Sequence, residues 1–346
     1  MRRFIIGMLA MVLLAMPANA MEFTAPPAPE SAEAYMPSEP ESFWEGVWYI
    51  LRNAIADTQP KIAEGASVCL SLVAVVLLLS LFRGLNSGIK GVLQICGTVA
   101  ISTMLLQSVN SMIQMGANTV AELADYGKMF VPVMTSALAA QGGVTASAAL
   151  YAGTIVFNTL LSGMIAKLLL PVLYIYLCLC IACNAIDEVI LQKMRDLAKW
   201  LISWGLKIVL YIFTGYMTIT GVVSGTADAS ALKATKLAIS GVVPVIGSVL
   251  SDASESILVS AGLLKNTVGI YGMLTILSIM VGPFVQVGIQ HLLLKGTSAV
   301  CGIFGEKSTA GLIQDFSSAM GMVMGMIGTM CLLLMIGTVC FMKGIG

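Results

Sequence analysis

The chain has 346 residues, of which 58% are hydrophobic and only 10% charged. Soluble domains carry roughly 45–50% apolar and about 25% charged residues, so a water-soluble fold of this length lacks the polar skin to cover so much apolar side chain. The 18 basic and 18 acidic residues cancel, which leaves no basic excess to hold nucleic acid.

Residues 1–20 have the parts of a secretory signal peptide: Arg2 and Arg3, an apolar run from Phe4 to Met16, and an Ala18-Asn19-Ala20 end. The run falls short of the ~20 residues that a span needs. Cleavage is expected after Ala20, with an uncleaved anchor helix as the alternative. Residues 21–42 follow with five prolines, several glutamates and no Lys or Arg. Such a stretch cannot bury enough surface to fold alone, so an extended, disordered extracytoplasmic arm is predicted. In 43–65, Phe43, Trp44, Val47, Trp48, Leu51 and Ile55 recur at helical spacing. This predicts an amphipathic helix lying on the outer membrane surface, with packing against a partner as its rival.

Residues 66–346 read as a polytopic membrane domain. Apolar runs stand at Ala66–Phe82, Val92–Met112, Asn158–Cys183, Trp200–Val223, Ile270–Leu294 and Met320–Met342. In lipid every backbone polar group must be paired within the chain, so the runs should be helices. The fold class is therefore all-α, with about six transmembrane helices. Met129–Phe157 and Gly241–Gly269 are each broken by a proline and continue through small and polar residues, which predicts two re-entrant or interfacial hairpins. Pro132 and Pro244, at the heads of these stretches, and Pro171 and Pro283, within later spans, are read as structural breaks.

A repeat underlies this pattern. Val131-Pro132-Val133 and Val243-Pro244-Val245 share an offset of 112 residues, as do Pro171 and Pro283, and Arg83 and Arg195. Matches in one register suggest an internal duplication, with units at about 83–194 and 195–306. With a translocated N-terminus, Arg83, Arg195 and Lys307 fall in the cytoplasm and Lys343 outside. If Val144–Ala166 and Leu168–Ile186 crossed separately there would be seven spans, and the later topology would invert.

Polar residues within apolar sequence are the candidate pathway or interface positions. Lys167 sits inside the third run; the alternatives are a partner-facing cation and a snorkelling side chain. Gln286 and Gln290 share a helical face and can line a wet path, whereas His291, the single histidine, also suits a hydrogen bond between helices. Asp252, Glu255, Lys265 and Asn266 lie in the second hairpin, and polar groups at depth survive where protein or water covers them. Cys178, Cys180 and Cys183 sit in wholly apolar sequence without the polar surroundings of a metal site, so they read as small residues at helix contacts. No disulfide framework is implied. The chain has no phosphate-cradling loop ending in Gly-Lys-Ser/Thr and no His-Glu-x-x-His. Neither a catalytic site nor a cofactor is predicted, and the chain is read as no enzyme.

The run Val-Val-Pro-Val-Ile-Gly-Ser-Val-Leu-Ser-Asp-Ala-Ser-Glu-Ser from Val242, and Ala261–Gly272 after it, resemble the stage III sporulation protein AE family. The resemblance covers nearly the whole mature chain. It implies a membrane subunit of the channel or secretion-like complex that joins mother cell and forespore. The implied partners are other stage III sporulation proteins, a forespore-side protein and membrane lipid. A homo-oligomer is compatible with it. The implied place is the mother-cell-derived membrane around the forespore. A stand-alone secondary transporter, which duplicated halves and broken helices also suit, and a structural anchor for the complex are the alternatives.

Overall fold

The computed structural model describes residues 25–37, 42–85, 90–186, 188–242, 247–304 and 307–343, and of 83–85, 90, 221–242, 247–264 and 307 only the backbone. The signal peptide and Pro244 lie outside the described residues. So do the side chains of Asp252 and Glu255, whose backbone is helical.

The described residues form helices and their connections. A short turn, α1 (Glu30–Glu33), precedes five long rods and one interrupted rod. These are α2 (Phe43–Leu85), α3 (Lys90–Ala140), α4 (Val144–Met164) running through a π-helical turn at Ile165–Leu169 into α5 (Leu170–Ala185), α6 (Val189–Val242), α7 (Gly247–Ile303) and α8 (Lys307–Lys343). Six segments are long and apolar enough to cross a membrane, one for each run read from the sequence. The protein is a multi-pass helical membrane protein.

The rods alternate in direction. Asn158 of α4 donates from Nδ2 to the Ala124 carbonyl of α3 at 2.9 Å, and Tyr174 of α5 donates to Asn110 at 2.8 Å. Numbers that rise on one helix and fall on the other mean antiparallel neighbours. By the same logic α2 runs parallel to α7, since Gly46 lies against Leu274 and Gly65 against Leu293. The starts of α2 and the end of α8 therefore share one end of the bundle.

α8 is central. It packs on α3, α4, α5, α6 and α7, and Met320, Met326, Met330, Leu333 and Leu334 are buried along it. α7 buries most of its apolar stretch as well, while α2 buries little of its own. On α3 the buried residues Leu105, Val109, Ile113, Val120, Leu123, Phe130 and Met134 recur at intervals of three, four or seven positions, the spacing that puts them on one face.

The structure corrects several expectations. Pro132 lies inside α3, and the chain reverses later, at Gln141–Gly143, where Gly142 takes φ 92°. Pro132 therefore breaks nothing: its ring costs one intrahelical bond, which the packed rod absorbs. Met129–Phe157 is the end of one long helix and the start of the next. Pro283 likewise lies inside α7, and Pro171 lies inside the α4–α5 rod just after the π-helical turn at Ile165–Leu169, the kind of local irregularity that accommodates a missing N–H within a rod. Val144–Ala185 is one rod of 42 residues, so the chain does not turn back at Lys167 and the seven-span alternative falls.

Residues 43–65 are helical as expected but continue into the first span as one rod. Ile50 and Ala54 bury against Leu274 and Val281 of α7, so this segment packs on its own chain instead of lying flat on a membrane. Residues 25–37 do not form a free extended arm. Ala32 is buried, Ser31 donates to Glu122 of α3, and Tyr35 sits beside Gly282 and donates to Asp57 at 3.0 Å. Burial, and then the Asp57 carboxylate, push the Tyr35 hydroxyl up to about 12, so it remains a donor at neutral pH. The docking follows from chemistry that bulk composition hides: an aromatic ring finds a glycine-lined gap, and its hydroxyl finds an acid.

One close approach fixes the α3–α7 spacing. A Cβ on Gly272 would overlap the ring of Phe130, and that ring is itself held in a stack on Tyr126 with centroids 5.6 Å apart. Gly272→Ala should destabilise the bundle by about 1–3 kcal/mol, the usual cost of overpacking. Thermal unfolding in detergent should show a lowered midpoint, partly recovered when Phe130→Leu is added. An unchanged midpoint for the single variant would show that Phe130 has room to move.

Candidate functional site

Among the described residues, two of the cavities along the bundle combine the larger volumes with many polar lining groups. The first is a lateral groove at mid-length, where α2, α3 and α7 meet. It has a volume of about 660 Å³ and is lined by Lys61, Glu64 and Ser67 of α2, Gln107, Ser108 and Ser111 of α3, and Gln286 and Gln290 of α7. Gln290 is buried and its Nε2 donates to Ser108 Oγ at 3.4 Å. The shared face read for Gln286 and Gln290 thus becomes one wall of a hydrogen-bonding groove. Apart from Lys61 and Glu64, its polar lining is amides and hydroxyls, which both donate and accept.

The groove continues onto the outer face of α3. Gln107, Asn110, Ser111, Gln114, Asn118, Asp125 and Lys128 are all exposed. They follow helical spacing opposite the buried stripe, and the run from Gln107 to Lys128 is about 32 Å long at 1.5 Å per residue. Beside it the first half of α2 exposes Arg52, Asp57, Gln59, Lys61 and Glu64. At the same depth the opposite side is mostly apolar: α4 exposes Val156 and Leu160, and α6 exposes Trp204, Tyr211 and Ile212, with Lys167 and Lys207 as exposed cations among them. The Asn158–Ala124 and Tyr174–Asn110 hydrogen bonds fix that correspondence of depth.

The second cavity, of about 550 Å³, lies toward the end of the bundle where α5 stops and α6 and α8 start. Arg195 of α6 donates from Nη1 to Asp315 Oδ2 of α8 at 2.9 Å, and its Nε and Nη2 donate to Asp196 Oδ1 at 3.1 and 3.0 Å. Tyr176 of α5 donates to the Asp315 carbonyl at 3.3 Å. Around them Gln94 of α3 donates to the Asn184 carbonyl at 2.9 Å, Asn184 to Thr98 at 3.0 Å, and Ser308 to Asn184 Oδ1 at 2.7 Å. Four rods are joined here by polar contacts in otherwise apolar surroundings.

The remaining sequence-predicted positions scatter. Lys265 is buried near the other end of the bundle, Asn266 beside it is exposed, and neither reaches the groove. His291 bonds between α7 and α8: its Nδ1 lies 2.8 Å from the Ser317 carbonyl, and Ser317 Oγ donates to the His291 carbonyl at 2.9 Å. Lys167 is exposed on the π turn between Ala166 and Leu168. Cys180 and Cys183 line the second cavity, and among the described residues no cluster could hold a metal. The Arg195–Asp315 pair was missed. The sequence places Arg195 in the repeat and in the topology only, and Asp315 lies between two apolar runs; an acid there without a sequence-local base is the available signal.

The stage III sporulation protein AE family model matches residues 45–344, which takes in nearly all of the six rods. The chain belongs to this family. Its role therefore lies in sporulation. The chain is also 23% identical over 237 residues to the stage III sporulation protein AE of Bacillus subtilis strain 168, a match covering 68% of this chain and 59% of that protein. No solved structure matches the chain. The matched range holds all the lining residues of both cavities, so neither draws on the arm before residue 45.

The ion pair makes a direct test of the second cavity. Both side chains are under one-third exposed, and removing one partner of a buried pair is costly because the other is left desolvated. Arg195 keeps Asp196, which softens the loss. Arg195→Gln and Asp315→Asn should each destabilise by about 2 kcal/mol, with a coupling of about 1–3 kcal/mol in the double-mutant cycle. Unfolding midpoints in detergent measure this. Simple additivity would mean that the pair does not hold α6 to α8.

Proposed function

We propose that this protein is a membrane subunit of a multiprotein channel or secretion-like apparatus between mother cell and forespore, needed for forespore development. The observation that carries the reading is the sidedness at one depth. Exposed charges and amides cover α2 and α3 where α4 and α6 expose mostly apolar side chains, with Lys167 and Lys207 the exposed cations there. Ionisable side chains facing lipid cost about 2.5–3.5 kcal/mol each on insertion scales. One side of the protein therefore suits lipid and the other suits water or polar protein, as in the wall of a passage. The partners in this reading are other stage III sporulation proteins and a forespore-side protein. The membrane is the mother-cell-derived one, with the mature N-terminus and Lys343 extracytoplasmic and Arg195 toward the cytoplasm.

The lateral groove is the part to perturb. Gln286→Leu with Gln290→Leu removes two amides from its wall while keeping side chains that a membrane helix tolerates. Membrane abundance should stay near normal, and sporulation efficiency should fall at least about tenfold, roughly the effect of 1.4 kcal/mol at a single equilibrium. Purification from native membranes in mild detergent should recover stoichiometric sporulation proteins. Normal sporulation of the double variant would remove the groove from the pathway. A lone monomer with solute-uptake activity would replace the apparatus with a transporter.

A further inference from the structure

α6 and α8 run parallel on the side of the bundle that suits lipid. Lys199 donates to Ser318 Oγ at 3.4 Å, and one turn and more further on Leu206 lies 3.6 Å from where a Cβ on Gly325 would stand. Between the two rods lies a groove of about 360 Å³. Lys199, Ser203 and Lys207 line its α6 edge, four residues apart and so on one line of the helix. Its floor is apolar and shallow: Ile202, Leu206 and Met322 are buried there, and Gly321 and Gly325 leave α8 without side chains over a full turn.

The groove is cationic and has no acid to balance it. α6 has no Asp or Glu between Asp196 and Asp228, α8 has none after Asp315, and α4, α5 and α7 from Lys265 onward have none. Asp196 and Asp315 themselves are held by Arg195 at the neighbouring cavity. Lys207 has no hydrogen bond or ion pair among the described residues, and Lys199 has one long bond to a hydroxyl. An exposed lysine against lipid tails is costly unless an anion meets it. Side chains on a helix lean toward its N-terminus, which carries the Lys207 ammonium back toward Ser203 and Lys199 along the roughly 12 Å that separate the two lysine Cα atoms. On the adjoining face of the same turns Trp200 and Trp204 stack with centroids 5.4 Å apart, each about half exposed. Indoles prefer the headgroup level of a bilayer. Cations, hydroxyl and indoles thus stand at one level, and the small-residue floor runs from there into the apolar part of α8.

We propose that this groove binds one anionic phospholipid, with its phosphate between Lys199 and Lys207, Ser203 as a further donor, and an acyl chain lying along Gly321 and Gly325. Charge complementarity selects the occupant. An ammonium can only donate, so two of them favour a net anion over a zwitterionic headgroup, which brings its own cation to the same place. The floor of Ile202, Leu206 and Met322 favours a chain, which free phosphate lacks. The site does not depend on whether α3 borders a passage.

The test uses the full-length protein with Trp44→Phe and Trp48→Phe, so that only Trp200 and Trp204 fluoresce as tryptophan. It is placed in vesicles that mix phosphatidylcholine with phosphatidylglycerol, one of the two carrying brominated chains, and indole quenching gives the relative affinity. Phosphatidylglycerol should be preferred at least about fivefold, the weight of one lysine near an anionic headgroup. Lys199→Gln with Lys207→Gln should erase that preference. Lys167→Gln with Lys193→Gln removes the same charge from exposed lysines that do not line the groove, and should leave it unchanged. Equal quenching by the two lipids in the parent protein would overturn the site. Equal losses in the two double variants would overturn it as well, in favour of diffuse attraction to a basic surface. Displacement of brominated phosphatidylglycerol by excess inorganic phosphate would replace the lipid with a free anion.

Discussion

The seam between α7 and α8 is the contact on which the other rods depend. In lipid, apolar surface gains little by leaving the solvent, so helices associate through close packing and hydrogen bonds. The seam supplies both. Small residues let the helices approach, as where Gly321 lies beside His291 and Gly269 beside Met342. His291 and Ser317 then bond across it in both directions, and Ser298 donates to the Ala310 carbonyl at 2.8 Å. With that pair in place, α3, α4, α5 and α6 pack around α8, and α2 lies along α7.

The polar residues of the bundle divide by what they bond to. His291 and Asn158 spend their hydrogen bonds holding one helix to the next, and they are buried or half-buried where they do so. Arg195 and Asp315 do the same with charge, in a place where an unpartnered ion would be expensive. The groove residues differ. Gln286, Gln107 and Ser111 border open volume, and Gln290 reaches a single hydroxyl at long distance. Such groups retain hydrogen-bonding capacity for water or a polar solute, which the His291 and Arg195 contacts have already spent on other helices.

The rods are also longer than one bilayer requires. α3, with 51 residues, extends about 76 Å at 1.5 Å per residue, and the 42-residue α4–α5 rod about 63 Å, against a hydrocarbon core of about 30 Å. Lipid can cover only part of such lengths. The rest must meet water or protein, and the sidedness of α3 against α4 and α6 distributes those two surroundings around the bundle.

The sequence by itself determined the class, the number of apolar helices and the family. These rest on local properties: an apolar run long enough to span must be helical, because its backbone has no other partner in lipid, and a motif such as Ala261–Gly272 is read without knowing its neighbours. Gln286 and Gln290 were legible as a shared face for the same reason, since four residues make about one turn. Only the tertiary structure decided whether a proline ended a helix. Pro132 and Pro283 sit inside packed rods, where neighbouring helices keep the segment helical against a local preference to break. It also decided that Tyr35 docks beside Gly282, that Asp315 meets Arg195 across 120 residues of chain, and that Lys265 lies far from the groove. These are contacts between distant segments, and no spacing along the chain encodes which face of one helix will meet which face of another.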